Sequence, residues 1–241
     1  MKPGVLGAAL AMALACGAVH SDGNNLLTSP IGEGSEPAPP WHVVGLPKQT
    51  KPFTQFRVVS REGVRVLEVE AKLSYGNLVH DLPAGGKGNR LSWRWRVERG
   101  ISAGDPNTRG GDDHPIAVCA MFDVPLASLP FVERQMLRAA RSMSEDDVPS
   151  ATLCYTWDER LAPGTAIESP FTRRVRYLVL RGQGDAQREW RREERDLRAD
   201  FQRLFGDEAK GSPPLQAVAV AADTDNTQGQ SLALLADLVL Q

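Results

Sequence analysis

The sequence predicts a mostly β chain folded as an antiparallel β-sandwich, with one or two short helices inserted. Three observations predict it. β-Branched and aromatic residues gather in many short runs, several with period-two alternation. Gly, Pro, Asn or Asp lies between most of these runs. Only two stretches carry a helical period, so the strands do not alternate with helices as they would around a parallel sheet.

The predicted strands cover 56–59, 64–73, 91–97, 116–122, 151–157, 175–181, 187–196, 215–222 and 231–240. The first two flank Ser60-Arg61-Glu62-Gly63 and read as a hairpin. Residues 116–122 are nearly all apolar, as in a central strand buried on both faces. Between strands, 131–144 places Phe131, Met136, Leu137, Ala140 and Met143 at three- and four-residue intervals, which predicts an amphipathic helix. Leu197, Phe201 and Leu204 repeat that spacing before Gly206, a C-cap candidate. The arrangement expected is jelly-roll or galactose-binding-like.

The N-terminus predicts export. Lys2 is followed by the apolar and small residues 5–15, too short for the roughly 20 residues a bilayer-spanning helix needs. Ala13-Leu14-Ala15-Cys16 suits signal cleavage, and a small residue before Cys16 also suits lipidation of its thiol. Residues 17–40 are rich in Gly, Ser and Pro and read as a flexible tether. The domains expected are therefore a signal peptide over 1–16, a tether over 17–40 and one sandwich domain over 41–241. The localisation expected is periplasm or outer membrane, with a lipid anchor on Cys16 as one route to the membrane.

A net charge of −2 and a pI of about 6.1 argue against nucleic acid, which calls for a strongly basic face. Past Cys16 only Cys119 and Cys154 remain. Both lie in apolar runs and read as buried thiols, although an oxidising compartment would let them bridge.

Four motifs carry chemistry. In 91–97, alternation puts Trp93, Trp95 and Val97 on one face and Arg94 and Arg96 on the other. The arginines read either as surface partners of acids or as a row of planar forks for carboxylate or phosphate groups. Asp112-Asp113-His114 supplies two carboxylates and an imidazole, although neighbours on an extended chain point opposite ways. Asp223-Thr224-Asp225-Asn226-Thr227 offers alternating oxygens of the kind Ca²⁺ prefers, with Asp223, Asp225 and Asn226 as ligands; Asx turns are the plainer reading. Tyr155 and Trp157 share a strand face and serve either as core or as a sugar-stacking platform. No phosphate-binding glycine loop, zinc-spaced Cys or His pair, or Gly-x-Ser-x-Gly elbow is present.

With those residues in view, the chain resembles the uncharacterised bacterial domain-of-unknown-function family 3047. The likeness spans roughly 41–240. It rests on the run 91–97, on Gly111-Asp112-Asp113 followed by Val118 and Phe122-Asp123, and on Tyr155-Thr156-Trp157. Glu194-Arg195-Asp196 with Asp200-Phe201 and Phe205-Gly206, and the segment 223–227, complete it. Residues 126–149 depart from the pattern as an insertion. The resemblance implies an exported envelope protein with one sandwich-like domain, and implies no reaction.

These observations support a non-catalytic module that binds an anionic or glycan ligand through Arg94, Arg96, Asp112, Asp113, Tyr155, Trp157 and Arg195. One alternative is a glycoside hydrolase or lyase in which Asp112 or Asp113 works with Asp223 or Asp225. Another is an envelope scaffold that presents Phe131, Met136 and Met143.

Overall fold

The computed structural model describes residues 25–241 except 87, 145–146, 207, 209–210 and 212. The signal segment and Cys16 lie outside the described residues. The strands are β1 (His42–Val44), β2 (Gln55–Arg61), β3 (Val64–Lys72), β4 (Tyr75–Gly86), β5 (Arg90–Arg99), β6 (His114–Phe122), β7 (Ala151–Asp158), β8 (Ala166–Ser169), β9 (Thr172–Gly182), β10 (Arg191–Asp196), β11 (Leu215–Asp223) and β12 (Gln230–Leu240). Helix α1 (Phe131–Met143) joins β6 to β7, and α2 (Leu197–Phe205) follows β10.

Two sheets face each other. One has seven strands in the order β1-β4-β11-β6-β7-β9-β8, and the other five in the order β10-β5-β12-β3-β2. Strands β7 and β9 run parallel, and the other pairings within the sheets are antiparallel. The predicted sandwich with two inserted helices is therefore the observed architecture. The β2–β3 hairpin turns through Glu62 and Gly63, both at positive φ, as a two-residue turn between twisted strands requires.

Alternation places the core. Trp93 and Trp95 of β5 point at Tyr155 and Trp157 of β7 in the opposite sheet, and all four are essentially inaccessible to water. Ring centroids lie 5.4 Å apart for Trp93–Tyr155 and 5.9 Å for Trp95–Trp157. Burying side chains of this size makes them the largest single contributors to the core, each worth about 3–5 kcal/mol against alanine. Phe122 of β6 extends the layer to Phe201 and Phe205 of α2.

Three departures from the sequence reading have physical causes. Strand β4 is missed because its sequence, with Gly76, Asn77, Asp81 and Pro83, lacks alternation; β1 and β11 nevertheless pair with it on both sides. The stretch read as a tether is, from Asn25 onward, packed on the sandwich. Leu27 enters the core, the Trp41 indole donates to the Thr28 carbonyl at 2.7 Å, and Leu26 N–H donates to the Leu240 carbonyl at 2.8 Å. Pro- and Gly-rich sequence lacks periodicity whether free or laid along a sheet end, so composition alone misjudges it. Third, Cys119 and Cys154 face each other across β6 and β7 and form a disulfide, not two thiols. Direct cross-strand register brings the two side chains together. Among the described residues no helix is long and apolar enough to cross a membrane.

Replacing Cys119 and Cys154 together with alanine should lower unfolding free energy by about 2–4 kcal/mol, the usual worth of a native bridge. Urea denaturation of the oxidised wild type and the double variant measures it.

Candidate functional site

A groove of about 1490 Å³ crosses the outer face of the seven-stranded sheet. Its floor is made of small or short side chains: Ala117 and Cys119 of β6, Cys154 of β7, Ala217 and Ala221 of β11, and Val79 of β4. Those short side chains leave space above that part of the sheet, while Met121, Tyr75 and Tyr177 also line the groove. One wall is α1, where Phe131 is 66% and Met136 60% exposed. Another is the 44–51 loop, and Phe171 stands half-exposed on the rim beside β9.

The two acidic segments meet at one end of this groove. Asp113 is fully buried, and its carboxylate is saturated. Oδ1 accepts from the backbone N–H and side-chain amide of Asn226, both at 3.1 Å. Oδ2 accepts from the Thr227 N–H at 2.7 Å and hydroxyl at 2.5 Å. A buried charge is tolerated when it is fully hydrogen-bonded, and here the bonds tie the 223–227 loop to the start of β6. Arg160 braces the same segment. It donates to the carbonyls of Ala103, Gly111 and Asp113 and grips Asp158 through two nitrogens. A Cβ at Gly111 would lie 2.2 Å from the Asp105 carbonyl oxygen, so the loop closes only with glycine there.

Asp112 points the other way, as alternation requires. Its Oδ2 accepts from the Ser169 hydroxyl at 2.8 Å, and its Oδ1 has no hydrogen-bond partner. A register shift between β11 and β6 turns His114 toward the groove, where its ring packs on Tyr177 with centroids 4.2 Å apart. His114 Nε2 lies 3.5 Å from Asp112 Oδ1 and also makes no hydrogen bond. Its backbone N–H donates to Asp223 Oδ1 at 2.8 Å.

Electrostatically this end is negative. Carboxylate oxygens of Asp113, Asp223 and Asp225 lie within 4.8 Å of one another. Loss of water, and then the Asp113 charge, push the Asp223 carboxyl well above the usual range. Burial raises the Tyr75 phenol to about 12, and burial followed by the Asp112 charge also raises Tyr177. Lys51 answers part of the charge, its ammonium 2.5 Å from Asp225 Oδ2. The calcium reading of Asp223, Asp225 and Asn226 thus meets a cluster already partly balanced. Both Asp113 oxygens are taken, Asp225 holds Lys51, and Asn226 turns its amide nitrogen toward Asp113, whereas Ca²⁺ wants six or more oxygens.

The other predicted ligand-binding residues lie elsewhere. Arg94 pairs with Asp237 at 2.5 Å, and Arg96 pairs with Glu98 and Glu62. Both guanidinium groups stack over Trp190 on the outer face of the five-stranded sheet, away from the groove. Arg195 grips Asp200 through two nitrogens at 2.8 and 2.7 Å, and Asp200 also accepts from the Tyr155 hydroxyl at 2.8 Å. Tyr155 and Trp157 are buried between the sheets and offer no stacking platform. Each arginine predicted to bind ligand has a neighbouring acid, and none of the three lines the groove. Phe171, Tyr177 and Ser169 were missed in sequence. They lie in and beside β8 and β9, and nothing local marks them as neighbours of Asp112.

A family model described as "Protein of unknown function (DUF3047)" matches residues 39–239. No curated protein matches the chain. Among solved structures, the chain is similar to a family 11 carbohydrate-binding module from Clostridium thermocellum in complex with a β-1,3-1,4-mixed-linked tetrasaccharide. Identity is 10%, the match covers 90% of this chain and 94% of that one, and the TM-score is 0.42. It is also similar to the xyloglucanase domain of NopAA from Sinorhizobium fredii in complex with cellobiose, at 10% identity, 83% and 92% coverage and a TM-score of 0.43. A third is TmCBM61 in complex with β-1,4-galactotriose, at 12% identity, 90% and 97% coverage and a TM-score of 0.39.

The Asp223 shift gives a pH prediction. A carboxyl whose folded pKa is raised keeps its proton in the folded state after the unfolded chain has lost it, so stability falls as pH rises through that window. Asp223→Asn stays neutral and can still accept from His114 N–H. Between pH 4 and 7 the wild type should lose stability relative to Asp223→Asn, by at most about 1.4 kcal/mol per pH unit. Urea titrations of both proteins across that range measure the difference, and parallel curves would refute the assignment.

Proposed function

The chain belongs to the DUF3047 family of proteins of unknown function, and for this member we propose an exported, non-catalytic module that holds a glycan in the groove of its seven-stranded sheet. One observation carries the reading. The same groove has exposed aromatic rings on its rim, Phe131 and Phe171, and the partly exposed polar residues Asp225 and Asn226 in its lining at one end. Sugars need that combination: their C–H faces pack on aromatic rings, and their hydroxyls satisfy fixed acceptors. The groove's volume exceeds the 300–1,000 Å³ typical of a drug-sized pocket, which suits an extended oligomer. The acidic end disfavours an anionic ligand, since Asp112 and Asp225 would repel it and Lys51 is already engaged. Export and a lipid anchor on Cys16 complete the proposal and rest on the N-terminal sequence alone.

A hydrolytic reading has one observation in its favour. Asp223, its carboxyl pushed well above the usual range by burial and then by the Asp113 charge, has the character of a general acid. It would need a second carboxylate free to act, and Asp113 is saturated. Reducing ends released by wild type and lost in Asp223→Asn would favour hydrolysis over simple binding.

A panel of neutral and charged oligosaccharides should yield a ligand that, at a hundred times its dissociation constant, stabilises the fold by about 2.7 kcal/mol. Differential scanning calorimetry would read this as a shift of roughly 5–10 °C for a chain of this size. Phe131→Ala combined with Phe171→Ala should weaken that binding by about tenfold or more, while Arg94→Ala leaves it unchanged. A flat panel would refute glycan binding. Separately, Cys16→Ala should move the protein from the membrane fraction to the soluble fraction; unchanged retention would count against the anchor.

A further inference from the structure

An antiparallel sheet with one open face usually alternates, with apolar residues toward the core and polar ones toward water. The middle of the seven-stranded sheet does not. Every residue of β7 is buried, and in β6 every residue but Met121. On the outer face one cross-strand row runs Val79, Ala219, Cys119, Cys154 and Tyr177 through five paired strands. A hydrophobic cluster separate from the main core forms around it. With strands about 4.8 Å apart the row is about 19 Å long, and its first polar side-chain group is the Tyr177 phenol.

The walls above this floor are apolar too, and open. Helix α1 buries only Leu137. Its Phe131, Val132 and Met136 line the groove and stay 60–66% exposed. Leu46 of the other wall is 47% exposed, and Met121 and Val175 of the floor are partly buried. Polar contacts hold α1 as a wall: Glu133 pairs with Arg174 at 2.7 Å, and Arg141 donates to the Val148 carbonyl at 2.9 Å. An aliphatic chain placed here leaves water together with these side chains, and methionine adapts its shape to such a guest. A sugar ring over the same floor would find no partner there for its hydroxyls. The polar residues Asp225 and Asn226 stand instead at one end. We propose that the ligand is an amphiphile, with its sugar head at the Asp225 and Asn226 end and an aliphatic chain over the apolar floor. The inference rests on the glycan reading and narrows its ligand to glycans joined to an alkyl or acyl chain.

Calorimetric titration below the critical micelle concentration tests it, with maltose, octyl maltoside, dodecyl maltoside and dodecylphosphocholine. Dodecyl maltoside should bind at a single site, about tenfold tighter or more than octyl maltoside, because each further methylene is removed from water. Met136→Glu, at an exposed helix position, should reduce that gain to within about twofold. Val64→Glu, at an exposed apolar position outside the groove, should leave it unchanged. Equal affinity for the two maltosides, binding of neither, or a gain that Met136→Glu retains would overturn the inference, and an oligosaccharide that binds would still leave the glycan reading standing. Dodecylphosphocholine bound as tightly as dodecyl maltoside, with every free sugar unbound, would keep the aliphatic subsite and remove the sugar head together with the glycan reading. A dimer in sedimentation equilibrium that dodecyl maltoside does not dissociate would also overturn the inference, by identifying a second copy as the cover of the floor.

Discussion

The carboxylate of Asp113 is the constraint around which the groove's polar end is arranged. A charge with no access to water has to be matched by donors, and four of them come from Asn226 and Thr227. Those bonds join the segment before β6 to the segment after β11, two stretches more than a hundred residues apart in the chain. Once Asp113 is turned into that loop, alternation sends Asp112 to the other side, and the register shift brings His114 beside it. The Asp112–His114 pair at the end of the groove is thus a consequence of the pairing behind it.

A second lock secures the opposite side of the core. Arg195 and the Tyr155 hydroxyl both converge on Asp200, while Asp196 caps α2 by accepting from the backbone N–H groups of Arg198 and Ala199. Glu193 accepts from the Trp95 indole and pairs with Arg181. These polar side chains look like binding chemistry in sequence because they are charged and closely spaced. In three dimensions they satisfy one another, which fixes how α2 and β10 sit on the aromatic layer. The groove they leave open lies on the other sheet, bounded by α1 and Phe171.

Some of this was legible residue by residue. Alternation in 91–97 placed Trp93 and Trp95 in the core and Arg94 and Arg96 outside, and the helical spacing of 131–144 located α1 to within one residue. The spacing could not say whether the arginines had partners, because Asp237, Glu62 and Asp200 approach from other elements. The two acidic segments were each recognisable, but their meeting was not, since β11 and β6 become neighbours only through sheet order. Tyr155 and Trp157 were equally suited to a platform or a core; the opposing sheet made them core.

By itself the sequence determined the sandwich class, the inner and outer faces of the main strands, both helices and the residues capable of chemistry. Those properties depend on local period and residue type, which a linear chain displays directly. Only the tertiary structure decided which charges are neutralised and which are left facing a groove. It also folded 25–40 onto the domain and paired Cys119 with Cys154. Each of these outcomes depends on the separation of groups distant in sequence, and that separation is set by strand order and register.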